Sequence, residues 1–365
     1  MKNISNLRKT FLTLSLAAIT APVYAADEKT QQLEQRVDQL EKIVQDQNKT
    51  ILQQTAKPEE NDSSIEWSAV VEVEAGFVSP ETGDSESDVA VATVELGAAL
   101  NLTDSLSGEI ILLFEEDETD LEIDVAQLNY AFGNSGFSAT LGQIYVPFGA
   151  YETALISDTL TLELGETRES ILGLNYEANG FGGSVYVFNG DANEVGSSTI
   201  DNFGFSVGYG NDYFAIGASY INSLGDSDLV QDVIGEAELD SYTDGFSING
   251  SINFGNFTAI AEYTTALDNF GSELEFAEPS ATNLEFNLGG SLFGKDATYA
   301  VAYQTTDDAL ILELPETRFL VGLGVDVNDH FSIGVEYARD SDYDLNDGGS
   351  GEDTDAVVIQ FAASL

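Results

Sequence analysis

From Ile65 onward, apolar side chains recur at every second position, in sixteen separate runs that extend to Leu365. A period of two is the signature of a strand, whose side chains point alternately to opposite faces. In the first run Ile65, Trp67, Ala69, Val71, Val73, Ala75 and Phe77 share one face, with Glu66, Ser68, Glu72 and Glu74 on the other. A later run sets Leu284, Phe286, Leu288 and Leu292 against Asn283, Glu285, Asn287 and Ser291. No stretch in this region approaches the roughly 18 continuous apolar residues of a membrane-spanning helix.

The connections between runs alternate in character. Thr103-Asp104-Ser105, Gly133 to Gly136, Asn179-Gly180, Asn211-Asp212, Gly255-Asn256, Phe293 to Asp296 and Asn328-Asp329-His330 are tight and carry turn-forming residues. Eight longer, acidic connections are expected between them. Short turns at one end, long loops at the other and an even strand number predict an all-β fold. The expected architecture is a 16-stranded antiparallel transmembrane β-barrel over residues 65–365, apolar toward lipid and polar toward the lumen. Phe137, Phe181, Tyr213, Phe257 and Phe331 each follow a short turn, where an interfacial aromatic girdle would lie. A soluble sandwich would bury its apolar faces against each other and rarely strings sixteen strands into one meander.

Charge sharpens this picture. The chain carries 12 Lys and Arg against 64 Asp and Glu, a formal net charge of −52. Beyond residue 64 only Arg168, Lys295, Arg318 and Arg339 are basic, against 55 acidic residues. So acidic a surface does not bind nucleic acid, which requires cations against phosphate. With no Cys, thiolate metal sites, disulfides and Cys nucleophiles are excluded. The single His, His330, lies in a short turn, and no acid–base or nucleophile constellation accompanies it, so an enzyme is not expected. Nothing in the sequence calls for a cofactor.

The first 64 residues differ in composition. Lys2, Arg8 and Lys9 precede an apolar stretch from Phe11 to Ala21, and Val23-Tyr24-Ala25 suits cleavage, so residues 1–25 read as a secretory signal peptide. Over residues 26–56, Leu33, Val37, Leu40, Val44 and Ile51 follow steps of four and three, with Gln47 as one polar seam position. This predicts a periplasmic coiled-coil helix and oligomerisation, a homotrimer being one such assembly. A helix packed on the rest of the chain is the alternative. Residues 57–64 form a linker.

The stretches Val91-Ala-Thr-Val-Glu-Leu-Gly97, Leu112-Leu-Phe-Glu-Glu-Asp117, Gly142-Gln-Ile-Tyr-Val-Pro-Phe-Gly149, Ile156-Ser-Asp-Thr-Leu-Thr-Leu-Glu-Leu-Gly-Glu-Thr-Arg168 and Val185-Tyr-Val-Phe-Asn-Gly-Asp191 form a recognisable set. Together they resemble the LbtU family of siderophore porins. The likeness is specific over residues 88–191 and covers the rest in layout. It implies an outer-membrane channel for ferric siderophore uptake without the plug of a TonB-dependent receptor. The segment of residues 26–64 is itself too short for such a plug.

The candidate site follows from strand parity and loop length. Parity places Glu72, Glu74, Glu95, Glu109, Glu177, Glu262, Glu285, Arg318 and Glu336 on the lumen face. The long, apolar connection after the fifth run is expected to fold inward and narrow the lumen, with Tyr145, Pro147, Phe148, Glu163, Glu166 and Arg168 as constriction candidates. Arg168 and Arg318 should be paired among so many carboxylates, either as a field across the pore or as structural ties. Asp340, Asp342 and Asp344 could bind a divalent cation weakly and so bridge to lipopolysaccharide phosphates. They do not form an EF-hand, because Leu345 and Gly351 stand where Gly and Glu are needed.

Three functions remain: ferric siderophore uptake, general diffusion of small solutes with a cation preference, and a structural or adhesive role. An acidic lumen concentrates cations. An anionic ferric complex would therefore need Arg168, Arg318 or bound cations to compensate.

Overall fold

The computed structural model describes residues 64–365 apart from 117–118, 193–198, 236–238, 240, 272–273 and 275–276. The signal peptide and the coiled-coil seam at Leu33, Val37, Leu40, Val44 and Ile51 lie outside the described residues. The strands are β1 (Ser64–Pro80), β2 (Glu86–Thr103), β3 (Leu106–Glu115), β4 (Thr119–Ala131), β5 (Phe137–Tyr145), β6 (Arg168–Ala178), β7 (Phe181–Phe188) and β8 (Asn202–Gly210). They continue as β9 (Phe214–Ile221), β10 (Gly245–Phe254), β11 (Phe257–Ala266), β12 (Ser280–Leu292), β13 (Lys295–Asp307), β14 (Thr317–Asn328), β15 (Phe331–Ser341) and β16 (Asp353–Ser364). Two short helices lie in connections, α1 (Leu160–Gly165) and α2 (Asp228–Ile234).

Each strand pairs antiparallel with its sequence neighbours, and β16 pairs with β1 from Val70↔Ser364 to Pro80↔Thr354, which closes the barrel. Closure leaves no exposed sheet edge, the condition for a sheet to sit in hydrocarbon. The alternation sorts the faces. Leu172, Leu174, Phe205, Phe286 and Val321 point outward and are exposed, whereas Glu262, Asn283, Glu285, Gln304 and Gln360 point inward and are buried. At the short-turn rim Phe137 packs at a tilt against Tyr176 and Phe181 against Tyr209, both with ring centroids 4.7 Å apart. Such pairs add about 0.5–1.5 kcal/mol beyond their burial.

Two of the eight expected long connections are short. β1 and β2 are joined by residues 81–85, and β3 and β4 by residues 116–118. β4 begins four residues earlier than the apolar run suggests, because a bulge at Asp124 shifts its register against β3 between Ile111 and Leu112. The bulge reverses the parity of Leu121 and Ile123 relative to Leu128, so a single alternating pattern does not span the strand. Opposite it, Gly142 holds φ 128°, and a Cβ there would lie 2.1 Å from the Ala126 carbonyl oxygen. Only glycine lets β5 approach β4 so closely.

Candidate functional site

The connection 146–167 turns into the barrel. Its neck is closed by Val146 N–H donating to Thr167 O at 2.9 Å, and Gly149 N–H donates to Ser219 Oγ on β9 at 2.8 Å. From there it runs as a strap along the far wall, and inward carboxylates of three strands hold it. Ala150 and Tyr151 N–H both donate to Glu262 of β11 at 2.7 Å. Thr153 Oγ1 and Ala154 N–H donate to Glu285 of β12 at 2.5 and 2.7 Å. Ile156 N–H donates to Glu336 of β15 at 2.5 Å, and Ser157 adds its N–H at 3.1 Å and its hydroxyl. Leu160 N–H then donates to Gln304 Oε1 of β13 at 3.1 Å. A loop this long carries many backbone donors that cannot stay bare inside a protein. Strand parity supplies the acceptors that meet them.

The strap ends in α1, where Thr159 caps the helix by accepting from Leu162 N–H at 3.1 Å. Leu160, Leu162 and Leu164 are fully buried. Glu163 of α1 accepts from Arg318 Nη1 at 3.1 Å, while Arg318 Nε and Nη2 grip Asp340 at 2.9 Å each. Arg318 is 5% exposed, so it ties α1 to β14 and β15 and does not face open water. Glu166 is buried too, and its carbonyl accepts from Asp228 N–H at 2.8 Å.

Two constriction candidates belong to strands. Tyr145 is the last residue of β5 and Arg168 the first of β6, paired with each other in register. Arg168 Nη1 reaches Glu122 at 2.5 Å and Asp124 at 3.1 Å, and Tyr145 OH donates to Asp124 at 2.9 Å. The pair therefore clamps the base of the loop to β4 and is not part of its crown. By alternation Tyr145 both closes the fifth run and opens the connection, while Arg168 falls in the loop, because the apolar pattern fades at its neck.

Above the strap, several connections share one apolar core inside the barrel. Phe148, Leu160 and Leu164 pack in a cluster with Leu224, Leu229 and Val230 of the β9–β10 connection, Phe270 and Leu274 of β11–β12, and Leu312 and Leu314 of β13–β14. The wall adds Tyr186, Phe188 and Ile221. Two loop carboxylates lie beside this core, Asp226 buried and Asp228 half-buried. Asp226 accepts from Ala192 N–H at 2.8 Å and Asn202 Nδ2 at 3.2 Å, and burial pushes its carboxyl up to about 6. Burial pushes Asp228 up to about 7, against the opposing pull of Arg168. Both folded values exceed the ordinary carboxylate value, so the folded loops bind more protons than the unfolded chain. Their contribution is most favourable at acid pH and declines as pH rises through about 6 and 7. Hydrogen exchange over residues 222–234, corrected for the intrinsic rate, is expected to be faster at about pH 8 than at about pH 5. Asp226→Asn should flatten that dependence.

On the opposite wall Glu72, Glu74, Glu95 and Glu109 point inward and are buried. Gln360 Nε2 donates to Glu74 at 2.8 Å and to Glu72 at 3.3 Å, and Gln127 Nε2 to Glu109 at 2.8 Å. Glu177 is exposed at the short-turn rim. Of the half-buried inward positions toward that rim, Asn175, Ser206, Asn249, Thr258 and Thr298 are uncharged and Asp326 is acidic.

The acidic cluster near the end of β15 does not assemble a cation site. Asp340 is engaged by Arg318, and Asp342 accepts from Ser350 N–H and Oγ at 2.8 and 2.6 Å. Among the described residues no group of three potential ligands comes together. Sequence reasoning missed Glu152, a half-buried residue on the strap's crown between the Glu262 and Glu285 anchors. Nothing in its spacing separates it from the neighbouring acids.

No protein-family model matches the chain. It is similar to the UPF0422 protein lpg2959 of Legionella pneumophila, 27% identical over 337 residues, which cover 82% of this chain. The chain spans about 63% of that relative's length. Among solved structures it resembles the outer-membrane channel DcaP of Acinetobacter baumannii, with a TM-score of 0.60 and 14% identity over 85% of this chain and 99% of that one. It also resembles an anion-selective porin from Comamonas acidovorans, with a TM-score of 0.57 and 14% identity over 83% of this chain and all of that one. The fold is that of the porins.

Proposed function

We propose that the protein is an outer-membrane diffusion channel for small solutes, with a preference for cations. The observation that carries this reading is the strap across the lumen of a closed barrel, tied to Glu262, Glu285 and Glu336. Such a loop narrows a sixteen-stranded lumen, which would otherwise be a wide aqueous channel. The cation preference rests on charge. Arg168 and Arg318 are each held by two carboxylates, so neither offers a positive counter-field to an anion. The acidic excess of the chain then acts unopposed on the solvent in the pore.

Ferric siderophore uptake is the second reading. It is favoured by the likeness over residues 88–191, and an electroneutral or cationic chelate suits the lumen better than an anionic one. Export by the signal peptide, lipopolysaccharide around the outer rim and a homotrimer joined through residues 26–56 accompany either reading.

Purified protein in planar bilayers tests both. A salt gradient is expected to give a reversal potential of the sign set by cation flow, with conductance that does not saturate for small ions. Saturable block by a ferric chelate, with loss of chelate uptake on deletion, would select the siderophore reading. Absence of any conductance would favour the structural or adhesive role and remove the channel.

A further inference from the structure

We propose that the outer face of β7–β9 is where a second copy of this chain packs against the barrel in the membrane. This goes beyond the channel reading and rests only on the barrel's place in the bilayer. β7, β8 and β9 have 8, 9 and 8 residues, against 17 and 18 for β1 and β2. Their outward apolar runs are short too: Phe181 to Val187, Phe203 to Tyr209 and Phe214 to Tyr220. Polar residues follow at the long-loop end, Asn189, Asp201 and Asn222, and the turns Asn179-Gly180 and Asn211-Asp212 close the other end. At roughly 3.3 Å per residue each run covers about 20 Å of strand. Tilted by about 40°, it stands about 15 Å tall, well under the roughly 25 Å apolar band of an outer-membrane barrel. On β1 the outward run from Ile65 to Phe77 covers about 40 Å of strand, stands about 30 Å tall and fills that band.

A low wall confined to one sector is costly against lipid, because acyl chains must compress or polar groups must enter hydrocarbon, and association of copies relieves the mismatch. The face is also shaped for a solid partner. A groove of about 570 Å³ runs along β7, floored by Val185 and Val187 and flanked by Leu172 and Leu174 of β6 and by Phe203 and Phe205 of β8. An aromatic ridge stands beside it. Tyr220 of β9 packs on Phe203 and Phe205 with ring centroids 5.9 and 5.2 Å apart, and Phe214 packs on Tyr209 at 5.7 Å. Groove and ridge share one face, so the ridge of one copy seats in the groove of the other.

Height and charge both select a second copy as the occupant. Another copy presents the same short apolar wall, so one contact removes the deficit of both, whereas an acyl chain in the groove leaves the deficit in place. The chain carries a formal charge of −52, so copies repel wherever their wet surfaces approach. Residues 181–187, 203–209 and 214–220 contain no charged side chain, and two copies meet there without bringing carboxylates together. Lipid tails give no hydrophobic drive for association within the membrane, so packing must supply it. Gly183 and Ala218, small and outward-facing, let the backbones come close, and the aromatic ridge supplies contact area.

The full chain in vesicles of phosphatidylethanolamine and phosphatidylglycerol provides the test. The chain has no Cys, so single thiols can be placed one at a time. Val207 is exposed at the centre of the face, Leu96 on β2 and Phe286 on β12. A short bis-maleimide is expected to link copies of Val207→Cys and to leave Leu96→Cys and Phe286→Cys unlinked. Val185→Trp fills the groove and is expected to shift the mass in mild detergent from two or more chains toward one, whereas Leu96→Trp should not. The linkage arm reads the face even where Val185→Trp fails to fold. Linkage through Leu96→Cys or Phe286→Cys in place of Val207→Cys would overturn the assignment, as would a chain that is monomeric in both settings. Lipid displaced by Val185→Trp from an unlinked barrel would make an acyl chain the occupant instead. Copies that stay together with no link at Val207 and no response to Val185→Trp would place the contact in residues 26–56 and reject this face. No arm reads conductance, so failure of the channel reading leaves these outcomes as they are.

Discussion

Replacing Glu262, Glu285 and Glu336 together by alanine is expected to raise single-channel conductance at least about twofold, because the strap loses its attachment along most of its crown and the lumen widens. The three carboxylates accept from the backbone of Ala150, Tyr151, Ala154, Ile156 and Ser157 and from the hydroxyls of Thr153 and Ser157. A hydrogen bond to a charged group contributes about 1.5–3 kcal/mol net, and a buried donor left without an acceptor costs about 1–3 kcal/mol. With seven donors stranded, the crown is more stable detached and hydrated than pressed on the wall. The packing of α1 through Leu160 and Leu164 still holds the distal end, so current noise should rise with the mean conductance as the freed crown samples several positions. Single replacements should do less than a third of this, because the remaining anchors keep the strap in place. Heat-dependent migration of the folded barrel on gels provides the control that the sheet is intact. Unchanged conductance in a folded triple variant would mean that the strap does not set the aperture.

Arg318→Ala is expected to lower stability by about 3–5 kcal/mol, the usual cost of removing one member of a buried ion pair. The guanidinium bridges Glu163 of α1 and Asp340 of β15, and Glu163 is itself buried. Without it, one carboxylate is enclosed without its cation and a second loses both of its bonds to the guanidinium. Arg318→Glu should be worse, since three carboxylates would then crowd one site. Arg318→Lys should recover only part of the loss, because an ammonium cannot reproduce the two-pronged grip on Asp340. Thermal unfolding in detergent, followed by loss of the sheet signal, gives the order. The burial of Arg318 also means that any change of ion preference in these variants comes through displacement of the strap. A variant of wild-type stability would show that the pair contributes little to holding α1 in place.

The strands were readable because each is a run of period two whose outward face meets an apolar medium. Parity then sorted Glu262, Glu285, Glu336 and Arg318 onto the inner face, where the structure has them. What those groups touch was not readable. The path of loop 146–167 depends on which wall acceptors its successive N–H groups meet, and that is fixed by register between segments more than one hundred residues apart. Glu152 gave no signal, being one acid among 55 beyond residue 64. The start of β4 escaped detection for a different reason. The bulge at Asp124 reverses the parity of the strand halfway along, so its two halves read as a loop and a shorter run. Arg168 reads as a loop residue, and Tyr145 as the junction of run and loop, because polar hydrogen-bonded residues at a strand end look like loop residues when their partners on β4 are unknown.

The shared apolar core above the strap has a consequence for what the molecule displays. Connections that would otherwise stand out from the barrel are drawn down into it, with Phe148, Leu229, Phe270 and Leu312 as their pegs. Among the described residues, the hairpin tip at 81–85 and most of the acidic turn at 342–352 are exposed and contribute nothing to this core, so a protease, an antibody or a phage approaching that end meets them directly. Sequence change at the pegs is constrained by packing, whereas change at these two exposed tips is not. Variation among otherwise similar chains should be greater at the tips than at the pegs.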